Sequence, residues 1–346
     1  MFEEPYAFFS ATIRELMFEG TTICHPNKTD SIGKLLCLVL MLIRQKNMIY
    51  NDDLSITFSF FGYRNNTNDG VYSVNTGESD ISKVGTISTW ENSAYTTYWS
   101  GSKSSCNRVE GSRTTVFPPF LEESMKFDVF STDICKSANI IYNKTNTYHD
   151  IEGYRFRTYL NSFTSSDDDC YCTDGAKDLD GNDTCFSDGL LNLYTCHAAP
   201  ILLSYPHFLW LEESLSKTVE GLNASEDKHT TYVDIDPYLG IPLQSSQKVQ
   251  FNLILRPYVF GNGTLVSLTQ NLSRALTPFL WIDEGMALTS DITDEMRSEL
   301  YDRLKLLNIV EWVIIALGIV FIIVPPAAYG IKKLRTSDTK GAIKKN

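Results

Sequence analysis

The sulfurs are the residues whose number and spacing promise chemistry. The chain has eight cysteines, and six fall in one stretch: Cys106, Cys135, Cys170, Cys172, Cys185 and Cys196. Thiols in such a cluster can do redox work, hold a metal or form cystines. Redox motifs place two residues between the sulfurs, and CYC at 170–172 has one. A metal site needs partner ligands at set spacings, and His25, His149, His197, His207 and His229 fall in no HExxH or related pattern. An even cluster in an oxidising compartment reads as a disulfide framework. Spacing alone does not choose among the pairings. In an extended strand Cys170 and Cys172 point to opposite sides, which suits two separate bridges. The acidic run SSDDDCYCTDGAKDLDGNDTC (165–185) invites calcium. An EF-hand loop counted from Asp178 needs a Gly and a Glu where this chain has Asp183 and Gly189. The run therefore reads as an exposed loop pinned by its cysteines. No G-x-S-x-G and no Gly-rich phosphate loop occurs, so neither catalysis nor a cofactor is expected.

Seven Asn-x-Ser/Thr sites stand at Asn27, Asn65, Asn143, Asn182, Asn223, Asn262 and Asn271. They read as surface glycosylation acceptors. The formal net charge of −12 argues against a nucleic-acid partner, because phosphate binding needs clustered Lys and Arg. A membrane is a different matter. Residues 306–329 read LLNIVEWVIIALGIVFIIVPPAAY, with Glu311 as the sole charge and Trp312 beside it. A span needs roughly 20 mostly apolar residues. Glu311 lies near the boundary, where a carboxylate reaches the headgroups, and Trp312 suits the interfacial aromatic belt. The residues after Gly330 carry Lys332, Lys333, Arg335, Lys340, Lys344 and Lys345 against Asp338. The positive-inside rule puts that tail in the cytosol. The predicted order is an extracellular or lumenal ectodomain over 1–305, a transmembrane helix over 306–329 and a basic cytoplasmic tail over 330–346. The start, MFEEPYAFF, has no basic segment followed by an apolar one, so delivery across a membrane calls for a segment it does not supply.

The elements that must position the cysteines are mostly strands. Residues 54–60, LSITFSF, alternate with Leu54, Ile56, Phe58 and Phe60 on one side, the pattern of a half-buried strand. NNTNDG (65–70) is a turn before VYSV. Further strand-like runs occur at 81–88, 153–159 and 199–205. In KVQFNLIL (248–255), Val249, Phe251, Leu253 and Leu255 share a face. Helical spacing occurs at 8–18, with Phe9, Ile13, Leu16 and Met17 on one side and Gly20 as the stop. It returns at 291–307, where Ile292, Met296, Leu300, Leu304 and Leu307 form a stripe and Glu299 reaches Arg303. The stretch LLCLVLMLI (35–43) is too short to span. FPPF (117–120) reads as a turn. The fold class is α+β: one mixed domain, mainly antiparallel strands with short helices, on a C-terminal anchor.

Several stretches together resemble the class B scavenger receptor family. They are IRELMFEG (13–20), NNTNDGVYSV (65–74), SDISKVGTI (79–87), YWSGSKSSCNRVEGSRTTVFPPF (98–120), STDICKSA (131–138), GYRFRTYL (153–160), GLLNLYTC (189–196), SYPHFL (204–209), HTTYVDIDPYLGIPLQ (229–244) and PFLWIDEG (278–285). The resemblance runs over nearly all of residues 8–330. It implies an antiparallel β-barrel ectodomain topped by helices and held between two spans. By that resemblance the chain is expected to be N-terminally truncated, without the family's first span, first strands and most of its apex helices. Carried onto these positions, the family's pairing implies Cys106 with Cys170, Cys135 with Cys196 and Cys172 with Cys185. Cys24 and Cys37 have no place in that framework; pairing with each other and remaining free both stay open.

The function implied is that of a cell-surface receptor for lipoproteins or lipids. Fatty acids, sterols or carotenoids would pass through an apolar tunnel toward the membrane. Each buried CH₂ favours such transfer by about 0.8 kcal/mol, and no covalent step is required. The alternative is a lysosomal membrane receptor that carries an enzyme. That role calls for a sorting signal, and IKKLRTSDTKGAIKKN contains no acidic dileucine signal.

Overall fold

Period-two runs closed by turn residues build three antiparallel sheets. The computed structural model of the chain describes residues 10–25, 31–101, 103–159, 163, 169–186, 189–259 and 269–343. The first sheet joins β1 (Thr21–Cys24), β2 (Met48–Tyr50) and β3 (Ile56–Phe58) in the order β1-β3-β2. The second is a ribbon of β4 (Tyr72–Val74) and β5 (Ile87–Trp90). The third has eight strands: β6 (Lys126–Ser131), β7 (Lys136–Tyr148), β8 (Ile151–Thr158), β9 (Leu191–Asn192), β10 (Leu202–Ser204), β11 (Tyr232–Ile235), β12 (Pro242–Leu255) and β13 (Ala275–Ala287). Its path is β6-β7-β8-β11-β12-β10-β9, with β13 also paired to β12. β12 is the trunk: it pairs with β11, with β10 and, over most of its length, with β13. The path is open, and no closed barrel forms among the described residues.

Local chemistry explains several joints. β7 and β8 are joined by His149 and Asp150, both at positive φ, as a two-residue type I′ turn requires. Gly20, at φ +98, ends a π-helical turn over Glu15–Glu19 and faces Thr57 and Phe58 too closely to admit a Cβ. Of the stripe read at 8–18, Met17 is buried and Ile13 is exposed, while Phe9 lies outside the described residues. The alternation at 54–60 holds only in part. Ile56 and Phe60 are buried, but so are Ser55 and Ser59, because β3 is covered on both faces; Leu54 is exposed. The run at 81–88 starts as a 3₁₀ turn, and its strand begins at Ile87.

The sequence LLCLVLMLI lies in a helix, Ser31–Ile43. Its inner side packs Cys37, Leu40 and Met41 near Ile56, and its outer side leaves Leu35, Leu38 and Leu42 exposed. The main core gathers Trp99, Cys106, Cys135, Cys196, Leu203 and Tyr205. A second core holds Phe117, Ile140, Phe156 and Ile235. FPPF carries Phe117 into it, fully buried, and leaves Phe120 exposed.

The chain divides into two compact units. Residues 1–148 and 152–287 form one, and 149–151 with 288–346 form the other. In the second unit helical structure is continuous from Ser290 to Ile343, with a π-helical turn at Arg297–Tyr301. Arg297 bonds Asp150 (3.3 Å) and Asp294 (2.8 Å), and Arg303 bonds Glu299. From Ser290 to Lys333 this helix is long and apolar enough to cross a membrane.

Candidate functional site

The strands that carry the long alternating runs surround a cavity of about 250 Å³. β7 contributes Ala138 and Ile140, β8 Thr158, and β11 Tyr232 and Val233. β12 supplies Ser245, Gln247 and Val249, and β13 adds Glu284, Gly285 and Met286. Alternation places these groups: residues 245, 247 and 249 share one face of β12. At the inner end Ile134, Ala138, Phe163 and Tyr205 are all buried. At the outer end Thr115, Glu284, Gly285 and Met286 are exposed. The cavity thus has a buried, mostly apolar end and an exposed end where Thr115 and Glu284 stand with Gly285 and Met286.

The polar groups of the wall are neutral except one. The Thr158 hydroxyl donates to the Thr231 carbonyl (3.4 Å), and the Thr231 hydroxyl accepts from the Lys248 N–H (2.9 Å). Glu284 is the one charged lining residue among those described, and it stands opposite Gln247 across the β12–β13 ladder. Two cations sit against the ring of Tyr232, itself a lining residue: Arg155 at 3.8 Å and Lys248 at 5.3 Å. Arg155 is bound to the Asp234 carboxylate (2.6 and 2.8 Å), and Lys248 lies 4.0 Å from Asp283. Lys136 shares the β7 face of Ala138, but its Nζ is seated over the Tyr171 ring at 4.0 Å. Burial pushes its ammonium down to about 8. A second, wider groove of about 700 Å³ is lined by Lys83, Arg108, Glu110, Lys126 and Asp128 and is too charged to attract an apolar guest.

The cysteines close four bridges. Cys106 pairs with Cys170, Cys135 with Cys196, Cys172 with Cys185 and Cys24 with Cys37. The expected extended strand at CYC is instead a 3₁₀ turn over Asp169–Tyr171, and a turn separates the two sulfurs as well as a pleat would. Beside the Cys135–Cys196 bridge, His197 Nε2 meets the Asp133 carbonyl (2.7 Å) and Nδ1 meets the Tyr63 hydroxyl (2.6 Å). Burial pushes this imidazole down to about 4 and the Tyr63 phenol up to about 12. In the acidic run Asp178 accepts from the N–H groups of Asp180 (2.9 Å) and Asn182 (2.8 Å), closing a turn on itself. Asn65, Asn143, Asn182, Asn223 and Asn271 are exposed; Asn27 and Asn262 lie outside the described residues.

Four cystines, a cavity walled by strands and an apolar C-terminal helix are now joined by a comparison with known proteins. The pattern of the CD36 family covers residues 1–329. The chain belongs to the CD36 family. It is similar to sensory neuron membrane protein 2 of Aedes aegypti, 34% identical over 96% of this chain and 62% of the relative. The same protein of Anopheles gambiae is 32% identical over 96% and 58%. Sensory neuron membrane protein 1 of Ostrinia nubilalis is 30% identical over 92% and 58%. The chain therefore spans about three-fifths of the length of these relatives.

Sequence reasoning left the cavity wall unnamed, because a residue facing a void and one facing a packed core alternate alike. It also missed two polar assemblies, the Asp234 cluster and the stacked rings of His207 and His229 (centroids 4.3 Å apart), whose members are far apart in the chain.

Proposed function

We propose that this CD36-family chain is the lipid-handling, membrane-anchored portion of a plasma-membrane receptor. Its ectodomain faces the outside and its basic tail faces the cytosol. It accepts a lipid from an outer carrier, houses the acyl or ring portion in the sheet cavity and releases it toward the bilayer. The observation that carries this reading is the cavity, with buried Ile134, Ala138 and Phe163 at one end and exposed Thr115, Glu284 and Met286 at the other. Lipid transfer needs an apolar shelter and no reacting group, and the wall supplies that shelter. The strand bordering the mouth, β13, leads in the chain directly to the helix that is long enough to span. The exposed Asn-x-Ser/Thr sites and the four cystines suit an oxidising, glycosylating compartment.

The test uses the full chain, extracted gently from cells. Lipids that copurify are identified by mass spectrometry, and a photoactivatable acyl probe is crosslinked and mapped. Labelling at β7 and β12, lost when Val249→Trp fills the cavity, is the expected result. A preparation with no copurifying lipid and no labelling at the wall overturns the reading.

A further inference from the structure

Two turns at one end of the eight-stranded sheet present apolar side chains to solvent. Phe120 ends the FPPF turn and is 66% exposed. Tyr238 and Leu239, in the turn between β11 and β12, are 46% and 36% exposed. The two turns are clasped together. The Phe117 N–H donates to the Gly240 carbonyl (2.8 Å) and the Leu121 N–H to the Pro237 carbonyl (2.7 Å). The Asp236 carboxylate accepts from the N–H groups of Tyr238 (2.9 Å) and Leu239 (2.8 Å). Gly240, at φ +70, faces the Phe117 carbonyl too closely to admit a Cβ. Phe120 itself sits at φ +60, a strained region for an aromatic residue. A fixed frame thus holds three large apolar groups outward, one of them under strain, and such an outlier points to a use. We propose that Phe120, Tyr238 and Leu239 form a foot that dips into the headgroup layer of the bilayer holding the C-terminal helix. This rests on the membrane-anchored reading above and is independent of any cavity guest.

Topology sets the position of the foot. Ile235 pairs with Pro242 at the clasped turn, and Gln244 pairs with Ala287, the last residue of β13. The patch therefore lies at the end of the sheet where the chain leaves it. The helix that is long enough to span begins soon after, at Ser290. The side chains fit the interface, where a ring meets acyl chains and a phenol hydroxyl meets headgroups. Charge beside the patch selects the lipid. Exposed Glu122 and Glu123 follow Phe120, and no Lys or Arg occurs in 114–125 or 229–247. Zwitterionic headgroups suit such a border and anionic ones repel it. A second copy of this chain seated on the patch would set these carboxylates against each other. Residues 290–305 give at most about 24 Å of helix before the apolar stretch. Contact therefore calls for an oblique course there, with the stripe of Ile292, Met296, Leu300 and Leu304 toward lipid.

The test places single nitroxide labels on the full chain in phosphatidylcholine nanodiscs. Every native cysteine is held in a bridge, so an added thiol alone reacts. Labels are set at Phe120→Cys and Leu239→Cys, and at Val320→Cys within the span. A further label, Tyr258→Cys, lies past the far end of β12, roughly 40 Å along the strand. Collision with oxygen, which concentrates in lipid, and with a water-soluble nickel chelate reports the depth of each label. The oxygen-to-nickel ratio at 120 and 239 is expected to exceed that at 258 severalfold, and to fall when phosphatidylglycerol is mixed in. Ratios at 120 and 239 equal to that at 258, with 320 in hydrocarbon, overturn the foot and leave the anchored reading intact. A label at 120 shielded from both reagents means that a protein covers the patch, which also overturns the foot. A ratio that phosphatidylglycerol does not lower overturns the preference for zwitterionic lipid. A label at 320 in water removes the anchor, and the foot with it.

Discussion

On one face of β12, Ser245, Gln247 and Val249 look into a void. On the other, Ser246, Lys248, Gln250 and Asn252 are buried and tied to neighbours. The Asn252 side-chain amide donates to the Leu202 carbonyl (3.0 Å) and the Ser204 hydroxyl (2.9 Å), and the Gln250 side-chain amide donates to Asn252 Oδ1 (2.9 Å). At the near end of the same face Gln244 reaches Asp234 (2.7 Å), which also takes Arg155 and Asn146. Similar residue types thus serve opposite ends. Where polar groups satisfy one another they make a rigid seam, and where small ones line a gap they leave room for a guest. Fixed polar networks hold a single arrangement at high cost if broken, whereas a cavity wall tolerates change.

The sharpest way to break this contrast is Asp234→Ala. The carboxylate is buried and serves Arg155, Asn146 and Gln244. Its removal strands a half-buried guanidinium and should cost about 3–5 kcal/mol. A chemical-denaturation midpoint that hardly moves would show that the seam is not rigid. Asn252→Ala removes four hydrogen bonds at a fully buried site and should cost about 2 kcal/mol by the same measurement. On the cavity face the expectation reverses. Ala138→Leu grows into existing space, so stability should stay within about 1 kcal/mol while binding of the acyl probe is lost. A large loss of stability there would mean that the gap is not available to a guest.

How far the sequence disclosed this can be read on β12 itself. Alternation correctly grouped Val249 with Phe251, because the pleat fixes which side chains share a face. It did not tell that Lys248, Gln250 and Asn252 are buried on the other face. Their partners, Ser204 and Thr231, arrive from strands and turns far along the chain. Nor did it separate Val249, which lines the cavity, from Phe251, which packs in the core. The helix ending in an apolar stretch was legible because length and composition suffice there. The barrel expected from the resemblance is not shown closed among the described residues, and closure depends on edge pairing that no local pattern encodes.

The smallest expected effect concerns how the polar face of β12 is capped. His207 donates its backbone N–H to Gln250 Oε1 (2.9 Å), and its ring stacks on His229 with 5° between planes. Each Nδ1 accepts a backbone N–H, from Asn223 for His207 and from Ser225 for His229, both at 3.1 Å. Protonation of the His229 Nδ1 would turn an acceptor into a donor facing a donor. Burial first, then His207, Lys248 and Lys228, hold the His229 imidazole below its usual range. The unfolded chain therefore binds this proton more readily than the folded one. Its contribution to stability is complete above the ordinary histidine value of about 6.5 and falls away as pH drops through it. The melting temperature should decrease from pH 7.5 to 5.5, and His229→Gln should decrease less. Buried His197 titrates lower, to about 4, so it adds a loss in the same direction that both proteins share. Equal decreases in the two proteins would show that the stacked pair does not sense acid, and that the cap on the polar face is as indifferent to pH as the apolar cavity floor.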